Sequence, residues 1–384
     1  MRAAPIVQRL IAVLNTDVHL HRLTAVSRAV AAVVRGGRAT LTGIGRAMEG
    51  RSPKHFIKAA DRLLGNVLLH SELALFYLAL CRHALPREGR PVLLIDWTDI
   101  GTLWAVLTVT LVSEGRGVVI YSQGYRRRRE NDPRLEASCL RALAKLLGSQ
   151  KPIVVADAGF RGPWMRKVRA AGWDFVGRVR GRTLVRLPGE KDWQRTKSLW
   201  SMSTTRPRCL GLCELARSSP ELARLVLVCR RANSKKALPK IGRRKKKHIR
   251  SAREPWVLTT SLEDATAKEI VGLYSKRMRI EETFRDQKCP RFGWGLDQAR
   301  TRCLKRINVL LMLAALAHYV ALLIGATAEA HGIHRRFQAN TARKYRTLSL
   351  CRLAHELLLR LPALELDDLL KAATASRLPV VAYP

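Results

Sequence analysis

A run of almost wholly apolar residues, about 20 long, extends from Val309 to Ala328 in this 384-residue chain. A helix of that length can cross a lipid bilayer, so the run is either a membrane span or the central helix of a large protein core. The basic stretch ARTRCLKR precedes it, and the run contains His318 and Tyr319. A single such run late in a basic chain favours the core helix, and we expect no membrane partner.

The chain carries a large excess of positive charge. Lys and Arg total 70 against 30 Asp and Glu, which gives a formal net charge of +40. A surface this basic repels itself and is typical of a protein that binds a large polyanion. Because the charge is spread along the whole sequence, we expect nucleic acid rather than an anionic membrane surface.

Cysteine usage and the N-terminus bear on the cellular compartment. The 8 cysteines include no CxxC pair, and Cys209 and Cys213 lack a second Cys or His pair at the spacing of a zinc site. This pattern favours reduced thiols over disulfides or structural zinc. MRAAPIVQRLIAVLN has neither the apolar run nor the cleavage pattern of a signal peptide. We therefore expect a cytoplasmic protein.

Helical patterns fill residues 1 to about 85, where Ser52-Pro53 and Gly65-Asn66 mark the start and end of one helix. Short helices with Gly breaks suit either a helix-turn-helix DNA reader or a plain helical packing module. From Pro91, three β-branched runs predict a three-strand meander. PIVVADAG then predicts a buried parallel strand and WDFVGRVRG a fifth strand, each preceded by a helix. The fold class is therefore α/β.

The second half of the chain departs from this alternation. Short β-like pieces and the basic loop ALPKIGRRKKKHIRSARE occupy residues 182–254 and predict an inserted β-rich subdomain. EPWVLTTS predicts a further strand, and the residues from Lys268 to about Lys288 predict one long helix. Residues 335–384 predict a helical tail with the amphipathic element LCRLAHELLLRL.

Two aspartates follow apolar runs in a chain where acidic residues are scarce. Asp96 follows VLLI and Asp157 follows PIVVA. A carboxylate at the end of a buried strand is costly to desolvate unless it meets a cation or a donor, so each either caps a turn, pairs with an Arg or serves a site. Asp99 competes with Asp96 as the first acid, but we place Asp99 in the turn with Gly101.

The third acid comes from the helix GLYSKRMRIEETFRDQK. At 100° per residue, one stripe about 60° wide holds four polar residues: Tyr274, Arg277, Glu281 and Lys288. An adjacent apolar stripe, suited to burial against the sheet, holds Leu273, Ile280 and Phe284. Glu282 and Asp286 point elsewhere on this helix, so we take Glu281 as the acid directed at a site. The alternative is a solvated charged face with i,i+4 ion pairs.

Three converging carboxylates in a basic protein predict a divalent metal site. Carboxylate oxygens suit Mg²⁺, with Mn²⁺ as its substitute. Two such ions about 3.5–4 Å apart can activate a water or a 3′-hydroxyl and stabilise the leaving oxygen of a phosphoryl transfer. The surrounding Lys and Arg residues fit phosphate binding.

The spacing Tyr274-x2-Arg277-x3-Glu281-x6-Lys288 resembles the signature of bacterial DDE transposases of the insertion-sequence-four family. LLIDWTDI, VVADAGFRGPW, DRLLGN and FQANTAR look similar too, so the resemblance extends over nearly the whole chain. It is strongest to the insertion-sequence-ten type, whose members form DNA hairpins and transpose by cutting and pasting.

This resemblance implies a ribonuclease H-like catalytic core interrupted by a β-strand insertion. The implied domains are a helical DNA end-binding domain (1–88), the catalytic core (89–181 and 255–330), the insertion (182–254) and a helical C-terminal region (331–384). Asp96, Asp157 and Glu281 would be the catalytic triad and would bind two Mg²⁺ ions. Tyr274, Arg277 and Lys288 would bind DNA phosphates. Trp256 would stack on a base flipped out during hairpin formation, although its type and place also suit an ordinary core aromatic.

The implied function is transposition of an insertion sequence by strand nicking, hairpin formation, hairpin opening and strand transfer. The partners would be double-stranded DNA, as element ends and target, and a second copy of the chain in the DNA complex. Such a protein would be associated with the bacterial nucleoid. A metal-dependent nuclease without strand transfer and a non-catalytic DNA-binding derivative remain as alternatives. The basic clusters at 126–129 and 243–250 bind flanking DNA or are solvated loop charge.

Overall fold

The computed structural model describes residues 4–14, 17–50, 52–229, 254–291, 293–342 and 345–384. The basic cluster at 243–250 lies outside these residues. The chain divides into two units, the first formed by residues 1–132, 141–150 and 279–384, the second by residues 133–140 and 151–278. Each unit combines a β-sheet with helices, so the protein is of the mixed α/β class.

The first unit begins with five helices: α1 (Ala4–Ile11), α2 (Leu20–Gly36), α3 (Leu41–Ala47), α4 (Pro53–Gly65) and α5 (Val67–Ala84). The predicted start of α4 is confirmed, because Ser52 Oγ accepts a hydrogen bond from the His55 N–H and Pro53 occupies the first turn. Asn66 then ends α4 and caps α5, where its Oδ1 accepts from the Leu69 N–H at 2.8 Å.

The predicted meander is confirmed in the same unit. Its strands β1 (Arg90–Ile100), β2 (Trp104–Val112) and β3 (Gly117–Arg126) pair antiparallel in chain order. All positions of β2 are buried, which explains its continuous apolar and β-branched sequence. A third pairing, which no sequence pattern predicts, aligns a short strand near the end of the chain (Ala382–Tyr383) with Arg90 and Pro91 at the start of β1.

The second unit is built on parallel and antiparallel pairing. After α6 (Pro133–Leu147), whose residues are shared between the units, β4 (Ile153–Ala156), α7 (Gly162–Ala170) and β5 (Asp174–Arg178) form a β–α–β element. This confirms the predicted parallel strand. The sheet continues through antiparallel neighbours in the spatial order β5–β10–β9–β8–β6–β7. These are β6 (Leu184–Arg186), β7 (Gln194–Arg195), β8 (Arg208–Leu215), β9 (Glu221–Val228) and β10 (Trp256–Thr260).

The long helix predicted over Lys268–Lys288 is wrong, because the structure has two helices there, α8 (Ala267–Ser275) and α9 (Met278–Lys288). The N–H groups of Lys276 and Arg277 donate to the carbonyls three residues earlier, on Leu273 and Tyr274, which tightens and closes the last turn of α8. Helical spacing therefore cannot be carried from Tyr274 across the break to Glu281.

The apolar run forms α10 (Leu304–Ala330), the core helix of the first unit. Among the described residues, it is the one single helix long and apolar enough to span a membrane, and 94% of its most apolar window is buried in protein. It packs on β3, α2, α5 and α11 (Leu350–Arg360), and α12 (Ala363–Ala375) follows. The prediction of a core helix is confirmed.

Candidate active-site residues

Asp96 lies inside β1, opposite Thr108 of β2, and is half-buried. The expectation that it ends its strand is wrong. The strand continues to Ile100 because Trp97, Thr98 and Ile100 are β-branched or aromatic, and the residues after Asp96 keep pairing with β2. One oxygen of the carboxylate, Oδ1, accepts from the Trp97 N–H at 2.9 Å.

Asp99 also lies in β1 rather than in the turn with Gly101, so that expectation is wrong too. Its Oδ2 forms an ion pair with Arg127 at 2.9 Å. Asp99 is therefore paired with an arginine, which is one of the structural roles that the sequence allows for such an aspartate.

Asp157 directly follows β4, as predicted. Its Oδ1 accepts from the Gly159 N–H at 2.6 Å, and its carbonyl accepts from the Phe160 N–H. One carboxylate oxygen thus stabilises the turn between β4 and α7, which is the turn-capping role. The other oxygen is not used by this turn. Asp157 accordingly stands at the carboxyl end of a parallel strand, where α/β sheets commonly place functional groups.

The turn that follows Asp157 borders a cavity of about 380 Å³ in the second unit. Apolar side chains, including Phe160, Met165 and Leu215, form part of its wall. Four arginines also line it: Arg161, Arg178, Arg180 and Arg182. Three of these arginines lie in RVRGR, a basic segment at the end of β5 that carries no recognised motif. A cavity with apolar walls and several guanidinium groups is suited to a phosphate that carries an organic group.

The α9 helix confirms part of the predicted amphipathic pattern. Ile280 and Phe284 are buried, whereas Glu281 in the first turn is exposed. At the other end of the helix, Lys288 Nζ donates to Thr98 Oγ1 at 2.9 Å. Thr98 is two residues from Asp96 on β1, and alternate residues of a strand share a face. The structure therefore brings Lys288 to the face of β1 that carries Asp96.

Trp256 and Tyr274 lie together in the second unit. Their ring centroids are 4.8 Å apart with an interplanar angle of 79°, an edge-to-face contact between β10 and α8. Tyr274 is buried, but Trp256 is only half-buried, which is unlike a fully enclosed core aromatic. Arg277, also half-buried, follows the end of α8.

Asp286, which the helical pattern directs away from Glu281, is buried. It is 5% exposed, and its Oδ2 accepts from Arg116 Nε at 2.7 Å. Burial alone would raise the pKa of Asp286, but the nearby His318 and Arg116 outweigh it and hold that pKa below its ordinary value. The sequence does not predict this contact of Asp286 with Arg116 and His318, because the three residues are far apart along the chain.

The sequence profile of a family described as "Transposase DDE domain" matches residues 87–320, more than half of the chain. No curated protein gives a significant match. Among solved structures, a cryo-EM structure of the piggyBac transposase synaptic complex with hairpin DNA is similar over 97% of this chain and 79% of that chain, with 12% sequence identity and a TM-score of 0.43.

Proposed function

The chain belongs to the transposase DDE domain family and is a DDE DNA transposase, and from this premise we propose that it moves a bacterial insertion sequence by cut-and-paste transposition. The family match carries this proposal, since the matched residues include all three acids of the predicted triad. The signature around Tyr274, Arg277, Glu281 and Lys288 supports the finer assignment to the insertion-sequence-four family and to its insertion-sequence-ten type.

We propose Asp96, Asp157 and Glu281 as the residues that hold the divalent metal that DDE transposases generally use. Their donor chemistry fits, because three carboxylates offer the hard oxygen ligands that Mg²⁺ and Mn²⁺ prefer. When bound, two such ions would activate the attacking oxygen and stabilise the leaving oxygen of the DNA strand. The pairing of Asp99 with Arg127 supports Asp96 as the ligand from β1.

The basic and aromatic residues of the signature would position the DNA. Lys288 and Arg277 would bind phosphates, and the arginines that line the cavity after Asp157 would extend this phosphate-binding surface. Tyr274 would also contact a phosphate. Because Tyr274 is buried against Trp256, the main role of its ring would be to support that tryptophan. The half-buried Trp256 would stack on a flipped base, a contact worth about 1–3 kcal/mol.

These roles describe one reaction sequence, carried out without a covalent protein–DNA intermediate. Water cleaves one strand at the element end, and the freed 3′-hydroxyl attacks the opposite strand to form a hairpin. Water reopens the hairpin, and the same 3′-hydroxyl then attacks target DNA. Pairing of the two element ends, each with terminal inverted repeats, would require a homodimer in the DNA complex. The reaction would take place in the cytoplasm, at the nucleoid.

Each domain would have its own role in this reaction. We propose residues 1–88 as the helical domain that binds the element ends, and residues 89–181 with 255–330 as a ribonuclease H-like catalytic core. Residues 182–254 would be its β-rich insertion, and residues 331–384 a helical C-terminal region. The confirmed β1–β2–β3 meander and the parallel β4–β5 pair support this proposal for the core.

The substitution Asp157→Asn tests the proposal. It removes the charge of a proposed metal ligand but keeps a side-chain oxygen for the turn to Gly159. We expect DNA binding to persist, as measured by gel shift, and Mg²⁺-dependent cleavage at the element end to fall by at least about 100-fold. Asp192→Asn, at an exposed position of the same unit, is the matched control and should cleave normally.

Two outcomes would contradict the proposal. Normal cleavage by Asp157→Asn would remove Asp157 from the mechanism. A wild-type protein that nicks DNA but never joins a pre-cut element end to a plasmid would be a nuclease and not a transposase.

A further inference from the structure

Three buried side chains from three helices of the first unit meet at one point. Asp286 of α9, His318 of α10 and Cys351 of α11 each offer one ligand atom, and these atoms all lie within 4.8 Å of one another. Their exposures are 5%, 0% and 4%. His318 Nε2 is 3.8 Å from Asp286 Oδ2, too far for a hydrogen bond. In a tetrahedral zinc site, ligand atoms at the usual metal distances are roughly 3.3–3.8 Å apart.

His318 is the member whose present surroundings do not explain it. Both ring nitrogens are buried and have no hydrogen-bond partner among the described residues. A buried polar group left in this state costs about 1–3 kcal/mol. A metal ion would satisfy the nitrogen that binds it, and the donor set of imidazole, thiolate and carboxylate is one that zinc takes.

We propose that Asp286, His318 and Cys351 form a zinc site separate from the catalytic acids. Three protein ligands leave one position of a tetrahedral zinc ion for a water. Zinc binding would convert the Cys351 thiol to a thiolate and release its proton to solvent. The spacing of cysteines along the sequence does not show such a site, because the ligands come from three separate helices.

The positive charge of Arg116 is compatible with a zinc ion bound to Asp286. Its guanidinium holds Asp286 Oδ2 at 2.7 Å, and carboxylates that bind metals usually accept such a second hydrogen bond.

The site would tie α9 to α10 and α11. Since α9 carries Glu281 and Lys288, zinc would fix the helix that bears two of the proposed functional residues. Zinc binding does not depend on the proposed function, because its test measures bound metal and not DNA cleavage.

Cobalt titration of the full chain tests the proposal. Protein stripped with a chelator should bind one equivalent of Co²⁺ that gives the visible bands of tetrahedral cobalt and a thiolate-to-cobalt band in the near ultraviolet, a band that cobalt at the carboxylates of Asp96, Asp157 and Glu281 would not give. Zinc should displace the cobalt and abolish these bands. Protein purified from zinc-supplemented medium should contain about one zinc per chain by mass spectrometry.

Variants identify the ligands. Cys351→Ser should lose the thiolate band, and His318→Gln should lose at least about tenfold in cobalt affinity. Cys81→Ser, which alters another fully buried thiol of the same unit, should behave like the wild type. Circular dichroism would verify that each variant is folded. Folded wild type without cobalt bands or bound zinc would overturn the site, and so would an unchanged thiolate band in Cys351→Ser.

Discussion

Asp96 and Asp99 are three residues apart on one strand but have different surroundings. Asp99 is paired with Arg127, with side-chain exposures of 38% and 51%. A pair this exposed contributes about 0–1 kcal/mol to stability. Asp96 is half-buried on the face of β1 that also carries Thr98, to which Lys288 is bonded. The ion pair of Asp99 with Arg127 and the position of Lys288 near Asp96 are the two observations behind the choice of Asp96 as the candidate metal ligand.

This difference predicts opposite results for the two asparagine variants. Asp96→Asn should reduce Mg²⁺-dependent cleavage at the element end by at least about 100-fold, because it weakens a proposed metal ligand. Asp99→Asn should cleave at close to the wild-type rate and lose less than about 1 kcal/mol of stability. Cleavage assays and urea unfolding measure both effects. If Asp99→Asn were as defective as Asp96→Asn, the assignment of the first acid would be wrong.

Single residues could be predicted where local sequence determines their position. Asp157 follows a short apolar strand bounded by clear turn residues, and the structure has it there. Asp286 could not be predicted, because its environment depends on Arg116 and His318, which are distant in the sequence. A helical wheel gives the direction of a side chain on its own helix but not what packs against it.

At the scale of helices and strands, local sequence signals predicted where a helix starts and ends better than where a helical segment is interrupted. The capping box of Thr266 and Glu269 starts α8 as such a sequence should. The break after Ser275 contains neither Gly nor Pro, the residues that usually mark a helix break in a sequence. Neighbouring tertiary structure must therefore favour it over helix continuation, and tertiary packing commonly overrides helical propensity. The proposed roles of Tyr274 and Glu281 do not depend on a shared helical stripe.

Close packing of α10 on α11 depends on Gly325. A Cβ at this position would lie 2.4 Å from the carbonyl oxygen of Leu350, a backbone atom that cannot move alone. We expect Gly325→Ala to lower the free energy of unfolding by about 1–3 kcal/mol, as overpacking does in other cores. Urea denaturation followed by circular dichroism would measure it.

Gly272 supplies the matched control, since it also lies inside a helix but its Cβ would meet no atom within 4 Å. Gly272→Ala should therefore stabilise the protein by about 0.5–1 kcal/mol, because alanine loses less backbone entropy in a helix. Equal effects of the two substitutions would show that the α10–α11 contact tolerates a methyl group.

At the scale of the whole chain, the apolar run and the charge were the most informative features. The run could be assigned to a core because a basic chain of this length needs a large one, and α10 is buried as expected. The pairing of residues 382–383 with β1 could not be predicted, because two residues carry no recognisable strand pattern. Net charge indicates a polyanionic partner but not which arginines contact it.

For the basic cluster at 126–129, the structure shows which arginines are already engaged by other side chains. Arg126 stacks over Trp104 at 4.7 Å, and Arg127 and Arg129 pair with aspartates at 2.9 and 2.8 Å. Arg128 is exposed. If the cluster contacts flanking DNA, Arg128 is the member whose charge is most available to a phosphate.

DNA binding should then weaken steeply with salt, because each phosphate contact releases counterions. The slope of log K against log salt is about −0.9 per contact on duplex DNA, so Arg128→Gln should reduce its magnitude by about one. Lys371→Gln, which removes a charge from an exposed pair with Asp368, should leave the slope unchanged if α12 does not contact DNA. Fluorescence anisotropy across a salt series gives these slopes. An unchanged slope for Arg128→Gln would make residues 126–129 solvated loop charge, and the phosphate contacts would then have to come from other arginines, those after Asp157 first among them.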